Sequence, residues 1–140
     1  NGVVRGVYHF FKASKDGRLQ AENFINRVDL EMGDFPPVLD IEQLNGVTAV
    51  QLRKEAKEWL DIVENHYGVK PIIYTNVDFY KRNLGNEFDS YPLWVAHYYQ
   101  LQQPRIDRGW VFWQHSDIGL VNGINGKVDF NATVKLFYKF

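Results

Sequence analysis

The sequence predicts an α/β domain built on a parallel sheet with helices on both of its faces. Three observations lead there. Short strands that are apolar along their whole length alternate with stretches of helical spacing, as in sheets covered on both sides. The chain has 140 residues, 45% of them hydrophobic, enough for one domain with a real core. Polar and aromatic side chains gather where successive strands end, and ligands of parallel sheets sit at those carboxyl ends.

In chain order, Val3 to Phe11 reads as a short apolar and aromatic strand. Asp16 to Met32 carries helical spacing through Leu19, Phe24, Ile25 and Val28, and Gly33-Asp34 ends it. Val38 to Glu42 is a second strand, introduced by Pro36-Pro37 and closed by the turn-like Asn45-Gly46. Thr48 opens a helix as a cap, with Gln51 three residues on as a capping box requires. Leu52, Ala56, Trp59, Leu60 and Val63 keep the 3.6 period to about Tyr67, and Gly68 stops it. Pro71 to Thr75 is a third strand and Val77 to Leu84 a helix-like stretch. Leu93 to Tyr98 and Val111 to His115 are the fourth and fifth strands. Gly123, Asn125 and Gly126 mark a hairpin-like turn into Val128-Asp129-Phe130, and a last apolar segment runs to Phe140.

Composition removes several classes of function. The formal net charge is −1 with both signs interspersed, so no footprint for nucleic acid or an anionic membrane is present. No apolar run reaches the roughly 18 residues of a membrane span, and no signal-peptide pattern occurs. The absence of cysteine excludes a disulfide framework, a thiolate metal site and a cysteine nucleophile, while leaving the compartment open. Aromatic content is high at 16%.

Asp40 and Glu42 carry the most chemistry. Residues two apart on a strand project from one face, so both carboxylates point the same way at the end of an apolar element. Desolvation and like charge then raise at least one pKa, which is how a site keeps one acid protonated beside a charged partner. A solvated strand end is the plainer reading of the pair alone. Against it stand His9 and Phe10, Tyr74 and Thr75, His97 and Tyr98, and Gln114 and His115, which mark the ends of four other strands. The histidines suggest a rival, a zinc hydrolase using His9, His97 and His115 with the carboxylates. None shows a His-x-His or His-Glu-x-x-His spacing, so structural histidines are preferred and no metal is assigned. His66 falls near a helix end, where positive charge is favoured.

Six motifs in series, Gly6 to Phe11, Pro37 to Glu42, Pro71 to Thr75, Leu93 to Tyr98, Trp113-Gln114 and Gly126 to Asn131, resemble those of the family 25 glycoside hydrolases. These are lysozymes (N-acetylmuramidases) that cut bacterial peptidoglycan. The resemblance implies a TIM-like (β/α) barrel, with residues 1–140 a single, partial catalytic domain. The family's opening strand and its Gly-x-Asp-x-Ser-type motif have no counterpart before Val3. At about 250 residues per barrel, the expectation is an N-terminally truncated chain lacking two βα units, about 60 residues.

By that resemblance Glu42 matches the proton donor, Asp40 its charge-stabilising or substrate-positioning neighbour, and Asp129 a further active-site aspartate. Tyr8, Phe10, Tyr74, Trp94, Tyr98 and Gln114 are the candidate substrate contacts. Family members are described as retaining, which accords with carboxyl groups about 5 Å apart; direct carboxylate attack and acetamido assistance both stay open. The implied activity is hydrolysis of the β-1,4 bond between N-acetylmuramic acid and N-acetylglucosamine, without a cofactor. The implied full-length enzyme is secreted or wall-associated. An inactive or partial glycan-binding relative is the alternative, with a metal-dependent barrel hydrolase more distant. An unpaired barrel edge implies self-association.

Overall fold

A computed structural model describes residues 4–134. Six strands form one sheet in the order of the chain: β1 (Tyr8–Phe10), β2 (Val38–Asp40), β3 (Ile72–Asn76), β4 (Leu93–Ala96), β5 (Phe112–Gly119) and β6 (Val128–Thr133). The first five are parallel. β6 runs antiparallel to β5, which corrects the all-parallel expectation. A hairpin turn between adjacent strands can only reverse the chain, and Gly123 and Gly126 supply it at φ 91° and 119°. β1 and β6 do not pair with each other, so the described residues form an open sheet rather than a closed barrel.

The helices are α1 (Gly17–Ile25), α2 (Ala49–Tyr67) and the single turn α3 (Val77–Phe79), which continues as a π turn over Tyr80–Leu84 and is followed by a 3-10 turn at Asn86–Phe88. In α2 the Thr48 hydroxyl accepts from Gln51 N–H at 3.2 Å, and Gly68 ends the helix in the left-handed region at φ 69°. The capping box is only half made, because the Gln51 amide turns to Glu55 Oε1 instead. α1 is shorter than expected. Asp16 caps it, accepting from Leu19 N–H at 2.8 Å, but Asn26 already closes it, and Leu19 and Met32 are exposed. Gly17 lets α1 touch α2: a Cβ there would lie 2.1 Å from the Glu55 carbonyl oxygen. The Glu55 carboxylate in turn accepts the Gly17 N–H at 2.8 Å.

Both helices cover one face of the sheet. Leu39, Ile41, Ile73, Val95 and Trp113 meet Phe24, Leu52, Trp59, Leu60 and Val63 in a common core. Each of these large side chains contributes about 1.5–3 kcal/mol on burial. The helix cover expected on the second face is not found among the described residues. That face carries the row Phe10, Asp40, Tyr74, Trp94 and Phe112, in register across five strands. The last apolar segment, residues 135–140, lies outside the described residues.

Candidate active site

Alternation along the strands builds the site. Leu39 of β2 and Ile41 just beyond its end turn into the helix-covered core, so Asp40 and Glu42 turn the other way. They meet Tyr74 from β3, Trp94 from β4, Gln114 from β5 and Asp129 from β6 in one cleft of about 260 Å³, with Tyr8 and Val38 completing its wall. Seven of the nine predicted site residues therefore converge. Tyr98 reaches the cleft indirectly, its hydroxyl donating to Gln114 Oε1 at 3.1 Å. Phe10 does not line it. It sits on the edge strand, level with Asp40, and its ring faces Lys12 Nζ at 4.8 Å.

The polar network is anchored on Gln114, which is 5% exposed. Tyr74 and Tyr98 both donate to its side-chain oxygen. Burial raises both phenols above their ordinary pKa, so they act as donors rather than phenolates. The Trp94 ring stands edge-on to Tyr74, centroids 5.3 Å apart, and its Nε1–H donates to Asn131 Oδ1 at 2.8 Å. Asn131 was not singled out as a contact, although it lies two residues beyond Asp129 on β6.

Asp40 is the more deeply placed carboxyl, 9% exposed, and its Oδ1 has no hydrogen-bond partner among the described residues. Burial first, and the charge of Glu42 second, push its pKa up to about 7. Glu42 is also raised, by burial. The resemblance, rather than the spacing of the motif, makes Glu42 the expected proton donor and Asp40 its neighbour. Asp40 lies deeper than Glu42, and burial is the first cause of the rise in both.

None of the histidines lines this cleft. His9 turns to the helix face, stacked on Trp59 at 5.7 Å with Nε2 3.1 Å from Gln20 Oε1. His115 packs between Trp113 and Phe130. His97 accepts the Arg105 N–H at Nδ1, 3.0 Å away. Among the described residues no group of three or more His, Cys, Asp or Glu is placed to hold a metal ion. No helix there is long and apolar enough to cross a membrane.

A sequence model of glycosyl hydrolases family 25 matches residues 1–124. The chain is 50% identical over 132 residues to the uncharacterized protein YegX of Escherichia coli, covering 94% of this chain and 48% of that protein. It is 34% identical over 128 residues to the autolytic lysozyme of Clostridium acetobutylicum, covering 91% of this chain and 39% of that one. The chain thus spans half or less of the length of these relatives. Among solved structures, the bacterial lysozyme of Streptomyces coelicolor aligns with a TM-score of 0.83 at 29% identity, over 94% of this chain and 68% of that one. The family 25 glycosyl hydrolase of Bacillus anthracis aligns at 0.80 with 30% identity, over 90% of this chain and 62% of that one. Matched by sequence over most of its length and by fold over nearly all of it, the chain belongs to the family 25 glycosyl hydrolases.

Proposed function

We propose that this chain carries the catalytic cleft of a lysozyme-type glycosidase. It hydrolyses the β-1,4 bond between N-acetylmuramic acid and N-acetylglucosamine in bacterial peptidoglycan, as a secreted or wall-associated enzyme. The observation that carries this reading is the convergence of Asp40, Glu42 and Asp129 with Tyr74, Trp94 and Gln114 in one cleft at the strand ends. The six strands correspond, on this reading, to an arc of the family's (β/α) barrel.

Glycoside cleavage needs a proton for the departing oxygen and negative charge beside the oxocarbenium-like centre. Glu42, at the rim of the strand end, is the proton donor. Bound sugar displaces water from around it and further favours its protonated form. Asp129 supplies negative charge from the opposite wall. Asp40, with a buried oxygen that has no partner among the described residues, positions the substrate through its N-acetyl group. A sugar ring in the cleft lies against the faces of Tyr74 and Trp94, whose apolar surface suits its C–H groups.

The test is release of reducing sugar ends from purified cell walls, with Glu42→Gln alongside. Release by the wild type that persists under a chelator and vanishes in the variant supports the reading. A folded protein that binds walls and frees no reducing ends would make it a glycan-binding relative.

A further inference from the structure

A second hollow, of about 360 Å³, opens beside the cleft at the ends of β3 and β4, lined by Asn76, Asp78, Ala96, His97 and Tyr98. Glu42 borders both spaces. Tyr98 ties them together, since its side chain lines the hollow while its hydroxyl donates to Gln114 in the cleft wall.

Its side chains are chemically matched to a sugar. His97 Nδ1 is occupied as an acceptor of the Arg105 N–H, so the neutral ring carries its proton on Nε2 and offers it as a donor. Burial and the nearby Arg105 favour that neutral form. Asp78 is exposed, and Arg82 Nη2 stands 3.7 Å from its Oδ2 with both side chains largely in solvent. Such a pair holds its partners weakly, so the Asp78 carboxylate is free to accept from hydroxyl or amide N–H groups. One donor and one acceptor across a half-open hollow suit the mixed hydrogen-bonding edge of an N-acetylhexosamine.

The position of Glu42 then sets the polarity of the substrate. A general acid acts on the oxygen that joins two sugars, so it must border the seats of both. We propose that the hollow of Asn76, Asp78 and His97 seats the leaving-group sugar, while the cleft of Asp40, Tyr74 and Gln114 holds the sugar whose anomeric carbon reacts. The Glu42 carboxyl proton passes to the glycosidic oxygen, and the C–O bond breaks with its electron pair moving onto that oxygen. The sugar in the hollow departs as an alcohol. Water later adds its oxygen to the anomeric carbon and returns one proton to Glu42. This assignment rests on the glycosidase reading of the cleft.

The experiment compares two substrates that share a reacting sugar: peptidoglycan chains, and a methylumbelliferyl β-glycoside whose flat aglycone lacks the hydroxyl and N-acetyl groups of a leaving sugar. The readout is the ratio of kcat/KM on peptidoglycan to kcat/KM on the aryl glycoside. His97→Ala and Asp78→Ala should each lower that ratio about tenfold, the effect of one hydrogen bond worth about 1.4 kcal/mol made to the leaving sugar alone. Should either alanine variant fail to fold, His97→Gln and Asp78→Asn give the same readout. An unchanged ratio overturns the assignment, whether both activities fall together or neither does. If the wild-type protein cuts neither substrate, the glycosidase reading itself fails and this assignment with it.

Discussion

Asp40 and Glu42 face one cleft from alternate positions of a single segment, while Ile41 between them is fully buried against the helices. The two carboxyls share a face but not a depth. Asp40 keeps its proton to about neutrality, and that has a cost in stability. Its folded pKa, about 7, lies above the ordinary aspartate value near 4. The unfolded chain therefore releases this proton at lower pH than the folded one does. The contribution is fully present below about pH 4 and is lost as pH rises to about 7. Asp40→Asn removes the titration while keeping the shape. The variant should be more stable than wild type at pH 7, by about 1–2 kcal/mol once solvent access to the cleft is allowed for, and equal to it near pH 4. Melting curves across that range check it; a constant difference between the two proteins would sink it.

Glu42→Gln tests the other member. Removing its charge takes away the second cause of Asp40's raised pKa, so Asp40 should titrate below about 7 in the variant. Carboxyl carbon NMR of labelled aspartate reports that directly. In the complete enzyme, turnover should fall by about 10²–10⁴-fold, the usual contribution of a general acid, with wall binding and the melting temperature nearly retained. An Asp40 titration that does not move would mean that the two groups are electrostatically independent.

These two side chains also mark how far the sequence could be read. Which face each carboxyl takes follows from the two-residue period of a strand, so their convergence was legible. Their relative burial depends on what Tyr74, Trp94 and Gln114 bring from three other strands, and no local pattern holds that. Helix α2 was legible nearly to the residue because Thr48, its apolar period and Gly68 are all local signals. α1 was overextended because Val28, counted into its period, lies beyond the closing Asn26 and serves instead as a backbone acceptor for the Tyr67 hydroxyl at 2.6 Å. His9 stands at a strand end, but its chain neighbour Tyr8 takes the cleft face, which turns His9 to Trp59.

The close approach of α1 to α2 makes Gly17 intolerant of a side chain. A Cβ would overlap the Glu55 backbone carbonyl, which belongs to a helix and cannot yield locally. Gly17→Ala should therefore destabilise by about 1–3 kcal/mol, the usual range for overpacking, despite alanine's better helix propensity. Denaturant titration measures it. A variant as stable as wild type would show that the helices separate without penalty.

β1 pairs only with β2 among the described residues, which leaves the outer side of an edge strand without a ladder partner. Such edges pair with other chains. The isolated chain should associate with itself as concentration rises, and sedimentation velocity over a hundredfold range should register it. A single monomeric species throughout, together with a sharp cooperative melt, would rule this out.

The cleft wall hangs on a single oxygen. Gln114 Oε1 accepts from both Tyr74 and Tyr98, and the amide is nearly inaccessible to water. Tyr74→Phe or Tyr98→Phe alone leaves that oxygen one donor, so each should cost about 0.5–1.5 kcal/mol, the net worth of one hydrogen bond. Removing both leaves a buried acceptor with none, and the desolvation penalty of about 1–3 kcal/mol is then felt in full. The double variant should thus be less stable than the sum of the singles predicts, by on the order of 1 kcal/mol, as expected for residues sharing one partner. Strict additivity in a double-mutant cycle would show that Gln114 finds another donor. The wall would then be held by packing rather than by this shared bond.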